Sequence, residues 1–99
     1  MFYNFYTYIT TNKYRTTLYI DMTNNIQNRL AQHYFDSQNT KKSFAGKYAC
    51  VYLVYYEGFD YPKLAINREK QLKRWRRDKK NKLITQFNPK WETLNNQVF

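Results

Sequence analysis

The chain has few of the residues that punctuate or cross-link a protein. Of 99 residues, two are glycine, two proline, one cysteine and one histidine. A lone Cys50 forms no internal disulfide, and with His33 as the single histidine no Cys/His zinc cage can be assembled. Cys50 reads as a small core residue, and a reducing cytoplasm suits this cysteine usage. Acids are scarce as well: seven Asp and Glu stand against 17 Lys and Arg, for a net charge of +10. No apolar run approaches the ~20 residues of a membrane-spanning helix. The opening MFYNFYTYITTNKYR lacks a basic-then-apolar secretory pattern. The expectation is a soluble, cytoplasmic protein with no membrane role. Its expected partner is a polyanion, with nucleic acid ahead of an anionic surface. Phosphate loops of the GxxxxGK[ST] kind, GxGxxG turns and GxSxG elbows are all missing, which argues against nucleotide-driven, redox and acyl-transfer chemistry.

Aromatic residues, in contrast, are abundant, with 11 Tyr, 7 Phe and 2 Trp. A chain this aromatic can bury the core of one small domain and is not a disordered tail. Residues 2–10 are dense in aromatic and β-branched types and predict a strand. Residues 16–21 predict a second, joined to the first as a hairpin through a loop near Asn12–Arg15. A helix follows, capped by Thr23 or Asn24, with Ile26, Leu30 and Tyr34 on one face. Residues 35–47 read as a polar connection with one helical turn near Phe44–Gly46. Residues 49–57 read as the strongest and most central strand. Asp60-Tyr61-Pro62 predicts a helix start with a capping Asp60, the helix running to about Arg76. Asp78 would cap a short helix to about Gln86, ended by Phe87-Asn88-Pro89. Residues 92–99 read as a loose tail. The expected class is α+β: a three-stranded, mainly antiparallel sheet flanked by helices, with one domain over 1–94 and a C-terminal tail over 95–99.

One carboxylate sits oddly. On a helical wheel with Ala65 at the origin, Glu69 falls at about 40°, between Ala65 and Ile66 and inside the apolar stripe. A carboxylate there has to be paired, protonated or bound to a cation. It is either the partner of Arg68, Lys70 or Lys73, or an oxygen ligand for Mg²⁺. Arg29 and His33, four apart, share a helix face. They form either a solvated basic edge with a surface histidine, or a phosphate-binding and proton-transfer pair. Residues 68–82 carry nine Lys and Arg against two acids, with Trp75 among them. Such a run is a solvated helix face or a track for a phosphate backbone, with an indole to stack on a base. Tyr8 and Tyr19 lie in the two hairpin strands, where nearby cations would help paired phenols orient or deprotonate a water.

These segments, taken in order, resemble the GIY-YIG endonuclease superfamily, specifically its small stand-alone bacterial members, related to the excision-repair nuclease domain. Tyr6-Thr7-Tyr8-Ile9 looks like the first motif, and Leu18-Tyr19-Ile20-Asp21-Met22-Thr23 stands where the family has LYIG-x-T. Asn24 to His33 is similar to the N-[LI]-x-x-R-[LIV]-x-x-H helix, and Leu53 to Glu57 to the third strand. Arg68 to Arg77 and Asn88-Pro89-Lys90-Trp91 match the later helix and terminal motif. The likeness spans residues 4–94. It implies hydrolysis of DNA phosphodiester bonds with one Mg²⁺ or Mn²⁺ ion. Carried over by position, Glu69 is the metal ligand and Arg29 stabilises the phosphate. Tyr8 and Tyr19 position or deprotonate the water, and His33 assists proton transfer or contacts the phosphate. Asn88 and Asp21 are secondary candidates. Lys70, Lys73, Arg74, Trp75, Arg76, Arg77, Lys79 and Lys80 form the nucleic-acid track. Targeting would come from DNA structure or from a partner protein.

Departures from the pattern carry information. The glycine of the second motif is Asp21, that of the first is Tyr6, and Met22 stands where the excision-repair domain has lysine. An alternative reading is therefore a nucleic-acid-binding module of the same fold in which Asp21 has silenced cleavage. A third is a basic adaptor docking on an acidic protein.

Overall fold

The N-terminal aromatic run forms the middle of the sheet. In the computed structural model, which describes residues 3–39 and 48–98, β1 (Phe5–Thr11) lies between β2 (Leu18–Thr23) and β3 (Tyr52–Phe59) in the order β2-β1-β3, antiparallel throughout. The α+β class with a three-stranded sheet flanked by helices is therefore observed. The central strand is β1, however, and the expectation for residues 49–57 is corrected: β3 is an edge strand. Hydropathy undervalues β1 because of its threonines. Thr7, Thr10 and Thr11 are fully buried. Thr7 Oγ1 donates to the Ala65 carbonyl at 2.7 Å, and Thr11 Oγ1 to that of Thr17 at 2.8 Å. A hydroxyl satisfied in this way costs little to bury.

The hairpin loop closes without glycine. Asn12 Oδ1 accepts the N–H groups of Thr16 and Thr17 at 2.8 and 3.1 Å. Arg15 takes the left-handed conformation, at φ 59°, that the reversal needs.

Strand alternation then divides two cores. Tyr6 and Tyr8 face α1 (Ile26–Asn39) and pack with Ile26, Leu30, Leu53, Leu94 and Val98. Thr7 and Ile9 face the other side, where Ile9, Ile20, Val54, Tyr55, Leu72 and Ile84 cluster under α2 (Pro62–Arg74) and α3 (Arg77–Phe87). A register shift opposite Ile9 and Thr10 pairs them with Tyr55 and Leu53, so Val54 is the inserted residue of a bulge.

Element ends differ from the sequence reading in specific ways. Asn25, not Thr23 or Asn24, caps α1: its Oδ1 accepts the Asn28 N–H at 3.0 Å, while Thr23 Oγ1 accepts that of Asn25 at 3.0 Å. The helix continues to Asn39, so the first part of the expected polar connection is helical. The turn expected near Phe44–Gly46 lies outside the described residues. The buried face of α1 is Ile26, Leu30, His33 and Ser37, while Tyr34 is 58% exposed. Repeated four-residue steps drift about 40° each around a helix, whereas mixed steps of three and four hold one face.

At α2, Tyr61 occupies the cap position with Pro62 behind it, and Asp60 lies one residue too early. The helix stops at Arg74, not Arg76, and α3 starts after Arg76, which puts Asp78 in its first turn instead of at the cap. The loose tail is corrected too. Leu94 N–H bonds the Leu53 carbonyl at 2.7 Å, and Asn95 accepts the Leu53 N–H at 2.8 Å and donates to the Val51 carbonyl at 3.0 Å. The short α4 (Asn95–Val98) then seats Val98 in the core. Among the described residues, no helix is long and apolar enough to cross a membrane.

Candidate active site

The β1–β2 register places Tyr8 opposite Asp21 and Thr10 opposite Tyr19. Side chains two apart share a face, so Tyr8, Tyr19 and Asp21 stand on the side covered by α1. From α1, Arg29 and His33 reach the same place one turn apart. The Tyr8 hydroxyl and His33 Nε2 share a buried hydrogen bond of 2.8 Å. The Tyr19 ring meets His33 edge-on, with centroids 5.2 Å apart. Asp21 joins the outer members. Its Oδ2 accepts from the Tyr19 hydroxyl at 2.9 Å and from Arg29 Nη2 at 2.5 Å, and its Oδ1 accepts the Met22 N–H at 2.8 Å. Five sequence candidates thus form one constellation. His33 is not the surface histidine of the simpler reading, since it is 3% exposed.

Burial sets the charge states. It pushes the Tyr8 phenol far up, reinforced by the Asp21 charge and opposed by Arg29. Tyr19 is raised for the same first reason, with Asp21 again adding to it. The expected lowering of these phenols by a cation is thus outweighed, and both are neutral at neutral pH. Burial and the Arg29 charge hold His33 below its ordinary value, leaving a neutral imidazole. Burial lowers Arg29, but the hydrogen-bonded Asp21 carboxylate helps to outweigh it and the guanidinium stays charged.

Glu69 comes from α2, whose Leu72 packs in the second core, and its carboxylate is 2.7 Å from Lys73 Nζ. Arg68, one of its expected partners, pairs instead with Glu57 at 3.0 Å, and Tyr55 donates to the same Glu57 oxygen at 2.7 Å. A groove beside β2 is lined by Leu18, Tyr19, Ile20, Lys73 and Lys80. Its wall includes both Tyr19 of the constellation and the lysine that holds Glu69. Among the described residues no group of three or more His, Cys, Asp and Glu could hold a metal ion. The donor chemistry fits a hydrated ion of the Mg²⁺ type, which takes one or two carboxylates and keeps its waters. Glu69 is 16% exposed, and its partner Lys73, at 51%, can swing away.

The basic run is used unevenly. Lys70, Arg74 and Trp75 line a groove with Asn67 and Gln71. The Trp75 ring packs against the core and carries Lys79 Nζ at 4.2 Å and the Arg68 guanidinium at 5.3 Å. Arg77 is tied to the hairpin loop, donating to the Thr16 and Arg15 carbonyls at 2.9 and 3.1 Å. Arg76 lies 3.6 Å from Asp78 in an exposed pair. Asn88 is buried: its Nδ2 donates to the Val54 and Glu92 carbonyls at 3.2 and 2.8 Å, and its Oδ1 accepts the Glu92 N–H at 3.1 Å. The Asp21–Arg29 ion pair has no local sequence signal, because eight residues and a strand-to-helix turn separate its members.

The family model of the GIY-YIG catalytic domain matches residues 4–83, and the chain belongs to the GIY-YIG family, whose members are in general endonucleases. The matched span includes the constellation and Glu69 and ends before Asn88. No curated protein and no solved structure gives a significant match to the chain.

Proposed function

We propose that this protein is a cytoplasmic, divalent-metal-dependent endonuclease that hydrolyses phosphodiester bonds in DNA with little intrinsic sequence specificity. The observation that carries the reading is the convergence of Tyr8, Tyr19, Arg29 and His33 on one spot, with Arg29 43% exposed. Arg29 is the group that meets a phosphate and offsets the charge developing on its oxygens. Tyr19, half-buried beside the β2 groove, is the phenol that a water reaches. Water attack forms one P–O bond and breaks that to the departing sugar oxygen, and the water loses a proton. Neutral His33, buried and hydrogen-bonded to Tyr8, is the base that draws this proton inward through the Tyr8 hydroxyl, and the departing sugar oxygen takes a proton from solvent water.

Glu69 would hold a single Mg²⁺ or Mn²⁺, with Lys73 exchanged for the ion. When bound, such an ion supplies charge neutralisation at the phosphate and acidifies its waters. Lys70, Arg74 and Lys80 are point charges suited to phosphates, which position a duplex without reading its bases. Choice of target would then rest on DNA structure or a partner protein. A second reading has one observation in its favour: Asp21 already occupies Arg29, as expected of a binding module that no longer cleaves. Supercoiled plasmid incubated with Mg²⁺ or Mn²⁺ separates them. The nuclease converts it to the nicked form and Arg29→Ala stops the conversion, whereas a binding module shifts the plasmid but leaves it intact.

A further inference from the structure

We infer that Asp21 is an internal stand-in for the substrate phosphate, holding the Arg29 guanidinium in the free protein so that DNA engages Arg29 by displacing it. The inference rests on the reading that Arg29 takes a phosphate. It goes beyond that reading in assigning a task to the residue that replaces the motif glycine.

Geometry supports the assignment. Both nonbridging oxygens of a phosphate diester and both oxygens of a carboxylate accept from a guanidinium in much the same way. Asp21 Oδ2 takes Arg29 Nη2 at 2.5 Å and the Tyr19 hydroxyl at 2.9 Å, while Oδ1 is anchored on the Met22 N–H at 2.8 Å. The carboxylate therefore cannot follow Arg29 outward without giving up two other bonds. Arg29 is 43% exposed and Asp21 17%, whereas Tyr8 and His33 are buried at 0% and 3%. The ion pair makes up the solvent side of the constellation, and the proton-transfer pair is its interior. With glycine in that position the guanidinium would face solvent as a free cation. With Asp21 the two charges cancel, and an incoming phosphate meets a neutral pair.

Two consequences follow for DNA binding. Affinity is set by competition, and the gain from one phosphate contact is offset by the exposure of an abandoned carboxylate. The salt dependence records the same event. A phosphate neutralised by Arg29 releases counterion, and Asp21 left alone takes up cation, so the slope of log K against log salt is shallower by about one than without Asp21.

The test measures binding of a short duplex DNA in EDTA across a salt series, for wild type, Asp21→Asn, Asp21→Gly, Arg29→Ala and the Asp21→Asn/Arg29→Ala double variant. Asp60→Asn, an exposed acid away from the constellation, is the control for net charge. Expected are tighter binding by about fivefold for either Asp21 variant and a slope steeper by about one. In the Arg29→Ala background the Asp21 effect should shrink to that of Asp60→Asn. The two Asp21 substitutions guard against one of them failing to fold. The inference is overturned if both folded variants bind within about twofold of wild type with an unchanged slope, or if the full gain survives without Arg29. Plasmid nicking by the wild type is scored in parallel. Absent nicking defeats the nuclease reading, while the binding cycle decides the role of Asp21 whichever way that falls.

Discussion

The Tyr8 hydroxyl lies 2.8 Å from His33 Nε2, and neither side chain reaches solvent appreciably. One comes from the central strand and the other from α1, 25 residues later. Each is the hydrogen-bond partner that offsets burial of the other, so this bond docks the helix on the central strand.

Tyr8→Phe removes the hydroxyl and leaves a buried imidazole nitrogen without its partner. The expected cost is about 1–3 kcal/mol, read as a lower midpoint in urea. Nicking by the folded variant should fall by about 100-fold. Unchanged nicking would mean that the pair serves the fold alone.

His33 makes stability depend on pH with a definite sign. Its folded pKa lies below its ordinary value because of burial and the Arg29 charge. Just below the unfolded value of about 6.5 the unfolded chain binds more protons, so stability rises with pH in that window. The contribution is complete above the unfolded pKa and is lost as pH falls through the folded one. Calorimetry should show the melting temperature of wild type dropping between about pH 7 and 5. His33→Gln, which keeps a hydrogen-bonding partner for Tyr8, should flatten that drop. An equally steep drop in the variant would place the sensitivity elsewhere.

Asn88 separates structure from chemistry. It joins the end of α3 to β3 and to Glu92 through bonds of 2.8–3.2 Å. Asn88→Ala should destabilise by about 2 kcal/mol without changing the nicking rate per folded molecule. A rate loss of about tenfold or more at full folding would return Asn88 to the site.

The C-terminal turn is equally part of the fold. Val98 is buried against the Tyr8 core, and Val98→Asp would bury an unpaired charge there. A loss of about 3 kcal/mol or more is expected in denaturant melts. A wild-type melt from this variant would show that the turn detaches freely.

What could be read beforehand divides along physical lines. The existence of the three strands and of helices after Asn25 and at Pro62 was legible because aromatic density, helical spacing and Pro62 are local signals, whereas the exact α1 face and the α2 cap were not. Strand order was not, since the buried hydroxyls of Thr7 and Thr11 are satisfied by residues far along the chain or across a loop. Motif order singled out Tyr8, Tyr19, Asp21, Arg29 and His33 as candidates, and the register of β1 with β2 explains why Tyr8, Tyr19 and Asp21 meet. The occupation of Arg29 by Asp21 and the tethering of Arg77 by loop carbonyls were not legible, because side-chain pairing across elements leaves no periodic trace. Trp75 illustrates the same limit: its sequence neighbours suggest stacking on a base, whereas its ring already carries Lys79 and Arg68.

Glu69 is where the proposed chemistry is most exposed to test. The decisive measurement is plasmid nicking by Glu69→Gln beside wild type, with Mg²⁺, with Mn²⁺ and in EDTA, and with DNA affinity recorded for both proteins. Metal-dependent nicking by the wild type, lost in the variant while its DNA affinity is kept or slightly raised, is the predicted result. Wild-type rates of nicking by folded Glu69→Gln, or nicking indifferent to EDTA, would contradict a metal-dependent nuclease centred on this carboxylate.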